Sequence, residues 1–455
     1  MDEQLLQDVA ARAARYLNGL DERSVAPSQE AVDALRELDV PLPNSPTDPA
    51  EVIALLDRVG SPATYAMAGG RYFGFVIGGS VPASVAANWL SVAWDNNAGL
   101  KIGHPIGVKL EQIALRWTLD LLGMPAESAG VFVTGATMAN FTCLAAARHW
   151  ALERVGWDAE NDGLFGAPPI TVVIGDEAHS SVIKALGMVG LGRKRVIRVP
   201  TDEQGRMIAS AFPESLPSPA IVILQAGNVN TGAFDPLDEV IDKAHALGAW
   251  VHVDGAFGLW AAASPTRKHL IKGFEKADSW ATDAHKWLNV PYDSGIAFVR
   301  DAAVLRATMA MGAAYLIRGE EAEPSDYSPE LSRRGRGIDA WAALLSLGKQ
   351  GTAAMIDRCC DHAQTFAAGL RAAGFEVPHE VVLNQVLVRF GDDDTTLRVI
   401  KAIQEEGTMW ASSTRWHGKA ALRISVSSWA TTNEDVQRSL DAMIRCAKRE
   451  MATVQ

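Results

Sequence analysis

GVFVTGATMANFTCLAAARHWALERV, residues 130–155, frames the reading of the whole chain. GVFVT carries no polar alternation, as expected of a strand covered on both faces. Gly135, Ala136 and Thr137 make a turn of small residues, and a helical stretch follows at once. The next apolar run, ITVVIGDEA at 170–178, lies beyond that helix. Strand, helix and strand in this order predict part of a parallel sheet.

The same alternation continues outward. RVIRVP (195–200), AIVILQAG (220–227), AWVHVDGA (249–256), SWATDAH (279–285) and GIAFVRD (295–301) are further runs rich in Val and Ile. The layout is α/β, with a mainly parallel central sheet and helices on both faces. Upstream, residues 1–60 read as helices broken by PLPNSPTDP at 41–49. Downstream, a long helical stretch at 337–374 leads to NQVLVRFG, TMWASST, ALRISVSS and a last helix, which read as a smaller C-terminal α+β domain. The expected division is an N-terminal helical segment at 1–70, a large domain at 71–350 and a small domain at 351–455.

Composition removes several function classes. The chain has 455 residues, 48% of them hydrophobic, enough to bury a large core. Its net charge is −12, and Lys and Arg are dispersed, which argues against nucleic acid as a partner. The four cysteines make no disulfide framework for a chain of this length, which fits a reducing compartment. MDEQLLQDVAARAARYL is a charged amphipathic pattern, not a signal peptide, and no apolar run reaches the roughly 18 residues of a membrane span. The expectation is a cytoplasmic protein without a membrane partner. There is no GxGxxG loop and no GK[ST] loop. Cys359, Cys360, Asp361 and His362 sit inside a helical stretch without a second ligand pair, so no metal site is expected.

In an open α/β sheet, ligands gather at the C-terminal ends of the strands. Four strand ends here carry chemistry. The turn at Gly135-Ala136-Thr137 offers backbone N–H groups at a helix start, which suit a phosphate; any strand-to-helix turn has something of this look. His179 follows VVIGDEA, as a cap or as a site residue. Asp254 ends an apolar strand, where a buried carboxylate needs a cap or a cationic partner. Lys286 follows SWATDAH between His285 and Trp287, and a partly desolvated lysine becomes a nucleophile for carbonyls. Phosphate cradle, ring-stacking residue, carboxylate and lysine, in that order, are what pyridoxal phosphate needs.

At these residues the chain resembles the group II pyridoxal-phosphate amino-acid decarboxylases, the family of the aromatic-amino-acid and glutamate decarboxylases. DEAHSSVIKA (176–185), HVDGAFG (252–258) and DAHKW (283–287) resemble that family's histidine, aspartate and cofactor-lysine motifs. GNVNTGAFDP (227–236) resembles the loop before the aspartate strand, and SRRGRGIDAW (332–341) the arginine-rich segment after the mobile loop. The resemblance implies the pyridoxal-phosphate fold of type I, with decarboxylation of an L-amino acid to an amine. It implies that Lys286 carries the cofactor as a Schiff base and that Asp254 pairs with its ring nitrogen. Ala256 would touch the ring and His179 would stack on it and steer the substrate carboxylate. Ala136 and Thr137 would hold the phosphate, with His285 close by. Tyr315 would donate a proton from a loop that closes over 312–328.

The resemblance also implies a homodimer whose active site lies at the subunit interface, with 96–106 near the partner's site. Three departures stand out. Met138 replaces an acidic residue in the phosphate turn, and Asp283 stands where relatives often carry Asn. RYFGFVIGG (71–79) is less aromatic in its later positions than its counterparts. Rival readings are an aldehyde-forming oxidative decarboxylation, a carbon–carbon lyase on the same fold, a non-catalytic cofactor-binding module and a nucleotide-dependent dehydrogenase.

Overall fold

The computed structural model describes residues 2–311 and 322–452. Seven strands form the larger sheet. Their spatial order is Ala129–Val133, Gly295–Val299, Ser279–Asp283, Trp250–Asp254, Ala220–Gln225, Thr171–Gly175 and Ile197–Val199. Gly295–Val299 runs antiparallel to both neighbours, and the remaining pairs are parallel. The other six strands therefore point the same way and end on one edge of the sheet. Every residue of Ala220–Gln225, Trp250–Asp254, Ser279–Asp283 and Gly295–Val299 is buried. That explains why these runs read as continuous apolar stretches.

The Ala136–Glu153 helix packs on the sheet through small side chains. Ala139, Cys143, Ala146 and Ala147 are fully buried in one core with Val131, Val133, Ile221, Ala281 and Ala297. Small residues let the helix axis come close. At its start the approach is closest, because a Cβ on Gly295 would meet backbone atoms of Gly135 at 2.5 Å. The helix thus begins directly above the strand that follows the lysine turn.

The chain separates into two compact units. One comprises residues 80–361 and 379–385 and holds the seven-stranded sheet; the other comprises 1–79, 362–378 and 386–455. The division expected at 70 and 350 differs from this one, since the N-terminal segment shares a unit with the C-terminal residues. Non-local pairing is the reason. Tyr72–Phe73 pairs in parallel with Trp410 and Ala411, in a four-stranded sheet ordered Tyr72–Phe73, Trp410–Trp416, Lys419–Ser425, Gln385–Val388. Buried Arg71 donates to the Asp21 carbonyl at 2.8 Å and lies 3.8 Å from Asp435. The Val25 N–H donates to the Gly407 carbonyl at 2.8 Å. The Arg336–Ala372 helix breaks at Gly348, whose φ of 61° suits glycine. Among the described residues, no helix is long and apolar enough to cross a membrane.

Candidate active site

Four loops on one sheet edge converge. Ser279–Asp283 ends in Asp283, and a single helical turn, Ala284–Trp287, carries Lys286. The turn is fixed by the carbonyl of Ser294, which accepts from the N–H groups of Ala284 at 2.9 Å and His285 at 3.1 Å. The Ser294 N–H donates back to His285 Nδ1 at 3.0 Å. After the turn, the Asn289 amide donates to the Lys286 and Trp287 carbonyls at 3.3 and 3.0 Å. Lys286 Nζ lies 2.8 Å from Asp283 Oδ2, with the amine side chain 20% and the carboxylate 2% exposed. His285 stacks on Tyr292 with ring centroids 4.2 Å apart. Burial pushes the His285 pKa down, with neighbouring Asp283 opposing and Lys286 adding to the shift.

Asp254 ends the adjacent strand and is buried. Its Oδ1 accepts the Ala256 N–H at 3.2 Å and its Oδ2 accepts from the Asn140 amide at 3.3 Å. Burial raises its pKa, against the opposing pull of His179, Lys286 and those two donors. Asp254 thus accepts the Ala256 N–H, as a cap does, and also lies in the field of Lys286 and beside the His179 ring. His179 is the N-cap of the Ser180–Met188 helix, and its Nδ1 accepts the Ser181 N–H at 3.2 Å and faces Ser181 Oγ at 2.8 Å. His179 and Asp254 line one small cavity with Gln225 and Asp235.

Gly135 is the N-cap of the Ala136–Glu153 helix and provides no side-chain hydrogen bond to it. The first N–H groups of an α-helix have no intrahelical partner. Those of Ala136 and Thr137 thus stand next to the lysine turn, since a Cβ at Gly135 would lie 3.2 Å from the His285 ring and 3.6 Å from Asp283 Oδ1. Asp283 Oδ1 and Ser294 Oγ are buried there without a hydrogen-bond partner. The structure so brings Ala136, Thr137, His179, Asp254, Ala256, His285 and Lys286 to one sheet edge. Tyr315 lies outside the described residues.

A family model described as "Pyridoxal-dependent decarboxylase conserved domain" matches residues 39–390. The chain belongs to the pyridoxal-dependent decarboxylase family. It is similar to an aromatic-L-amino-acid decarboxylase of Bacillus atrophaeus, 28% identical, across 93% of this chain and 90% of that one. It is also similar to an L-2,4-diaminobutyrate decarboxylase of Rhizobium meliloti, 28% identical, across 81% of this chain and 74% of that one. Among solved structures, Oryza sativa TDC with PLP and tryptamine superposes with a TM-score of 0.90 at 22% identity, covering 98% of each chain. That likeness shows the fold, the mainly parallel arrangement of type I.

This decarboxylase is thus a carboxy-lyase that acts on an amino acid with pyridoxal phosphate as cofactor. Its site fits that group on three counts. An uncapped helix start offers N–H groups to a phosphate. A buried carboxylate whose charge is disfavoured by desolvation awaits a cation. An amine sits between that carboxylate's field and Asp283. The arginine-rich segment has a different part in this decarboxylase. Arg333 forms a two-pronged buried ion pair with Glu111 at 2.8 and 2.5 Å, and Arg336 bonds Asp293 at 2.9 Å. These contacts brace the frame.

Sequence reasoning missed Asn140 and Ser181. Asn140 stands one helical turn beyond Ala136, a polar residue in an otherwise small and apolar face. That oddity was the available signal.

Proposed function

We propose that Lys286 is the amine that holds the cofactor while an L-amino acid is decarboxylated to its amine and CO2. Pyridoxal phosphate supplies, when bound, an aldehyde for amines and an electron sink in its protonated ring. The remaining work falls to side chains. Asp254 keeps the ring nitrogen protonated, because its own charge is otherwise unfavourable at that depth. Ala136 and Thr137 bind the phosphate through the open helix start, with His285 alongside, and Ala256 lies against the ring. His179 presents its ring to the cofactor and orients the substrate carboxylate. Tyr315, outside the described residues, delivers the proton to the former α-carbon. The single observation that carries the reading is that Asp254 ends one strand and Lys286 follows the end of the adjacent parallel strand, on the same sheet edge.

The active unit in this reading is a homodimer in the cytoplasm. Trp89, Leu90, Val92 and Trp94 stand 44–66% exposed along and just past the Pro82–Ala93 helix, an apolar stripe of the kind a second subunit covers. All four cysteines are buried and none is in a disulfide, in keeping with a reducing compartment. The test is a panel of L-amino acids incubated with the purified yellow protein, with CO2, amine and aldehyde measured together. One amino acid is expected to give CO2 and amine in equal amounts. Aldehyde as the main product, or no CO2 from any member, would reject the assignment. Lys286→Ala is expected to abolish the visible absorbance of the bound cofactor.

A further inference from the structure

One amide connects the two groups assigned to the cofactor's surroundings. Asn140 is fully buried on the Ala136–Glu153 helix, and its Nδ2 faces Asp254 Oδ2 at 3.3 Å and Ser181 Oγ at 3.4 Å. Ser181 Oγ in turn lies 2.8 Å from His179 Nδ1. We propose that Asn140 is a positioning residue that holds Asp254 and His179 in register through the two hydrogens of its side-chain amide. The inference rests on the assignment of Asp254 and His179 to the cofactor site.

Asn140 turns its Nδ2 to Asp254 Oδ2 and its Oδ1 to His252 Nε2, and a chain of buried hydrogen bonds matches that orientation. Trp250 Nε1 can only donate, and it donates to Ser279 Oγ at 3.0 Å. The Ser279 hydroxyl keeps its hydrogen to give, and His252 Nδ1 stands 2.9 Å away as an acceptor for it. Burial pushes the His252 pKa down to about 3, so the ring is neutral and has one hydrogen. In the tautomer with that hydrogen on Nε2, the ring donates across 2.8 Å to Asn140 Oδ1, an atom that can only accept. With its oxygen so engaged, Asn140 turns its NH2 towards Asp254 and Ser181. Trp250, Ser279, His252 and Asn140 are all buried, so water does not compete for these bonds.

The second branch sets the tautomer of His179. The Ser181 backbone N–H donates to His179 Nδ1 at 3.2 Å, so that nitrogen bears no hydrogen. The Ser181 hydroxyl also donates to it, and accepts from Asn140. The neutral ring of His179 therefore carries its hydrogen on Nε2. A single amide thus secures a charged carboxylate and the donor face of an imidazole, which a packing role alone would not require.

The experiment uses full-length protein and four substitutions, Asn140→Leu, Ser181→Ala, His252→Gln and His252→Leu, with Asp254→Asn as reference. The affinity for pyridoxal phosphate and the pH dependence of its bound absorbance are measured, followed by kcat and KM. N140L is expected to weaken cofactor binding about ten- to a hundredfold, the worth of one hydrogen bond to a buried charge, and to move the absorbance titration. S181A should leave cofactor affinity alone and change KM or the pH profile of kcat/KM. H252Q, whose amide can stand in for Nε2–H, should resemble the parent, whereas H252L should follow N140L. Parental affinity and titration in N140L would overturn the proposal. If N140L does not fold, identical behaviour of H252Q and H252L overturns it. Were D254N also to bind and absorb like the parent, the assignment of Asp254 itself would fail; an altered D254N beside an unchanged N140L would reject Asn140 alone.

Discussion

Lys286 and Asp283 form an ion pair in which the acid is almost wholly shielded from water and the amine is not. The asymmetry has a measurable consequence. Removing the cation strands a buried carboxylate, one of whose oxygens already lacks a partner. Lys286→Met is expected to destabilise the cofactor-free protein by about 1–3 kcal/mol, and Asp283→Asn added to it should restore most of that loss. Urea denaturation of the two single variants and the double gives the coupling directly. His252 makes a second prediction at this scale. Its folded-state pKa of about 3 lies below the ordinary 6.5, so the neutral ring contributes its full stability above pH 6.5. That contribution is lost as pH falls from 6.5 towards 3, at up to about 1.4 kcal/mol per pH unit, because the unfolded chain binds the extra proton. H252Q should flatten the stability–pH curve in this window. An equal slope in both proteins would show that the ring does not stay neutral.

At the scale of elements, the start of the Ala136–Glu153 helix is where backbone crowding serves the site. Gly135 and Gly295 meet so closely that a methyl group has no room, and the atoms in its way are backbone. Gly295→Ala is expected to cost about 1–3 kcal/mol through overpacking and to weaken pyridoxal phosphate binding, as the helix start is pushed off the lysine turn. Thermal denaturation and cofactor titration check it, and an unchanged affinity would separate the helix start from the phosphate. The strands were legible because four of the seven are buried along their entire length, which leaves no polar alternation in the sequence. The antiparallel direction of Gly295–Val299 was not legible. A short apolar run has no polarity of its own, and its direction follows from the way residues 284–294, which include the lysine turn, lead it back alongside Ser279–Asp283.

For the molecule as a whole, the proposed homodimer rests on the exposed apolar side chains of Trp89, Leu90, Val92 and Trp94. Leu90→Lys combined with Val92→Lys is expected to shift the protein from dimer to monomer in sedimentation velocity, because charges in a buried interface stay unpaired. A parental sedimentation coefficient would reject this helix as the interface. The division into units was the least legible feature. Residues 1–79 join residues far downstream through the pairing of Tyr72 and Phe73 with Trp410 and Ala411, and through Arg71 with Asp435. Two-residue strands and single ion pairs leave no periodic trace.

The motifs around Asp254 and Lys286 already disclosed the cofactor and the reaction, because that chemistry demands particular residue types at the ends of particular strands. Local sequence also determined most strands and helices, since burial on both faces and helical periodicity are written along the chain. Only the folded arrangement decided that Asn140, His252 and Ser279, widely separated in sequence, form one hydrogen-bonded line to Asp254. Hydrogen bonds between side chains depend on distances that the order of residues does not encode, and those distances exist only once the sheet has been assembled.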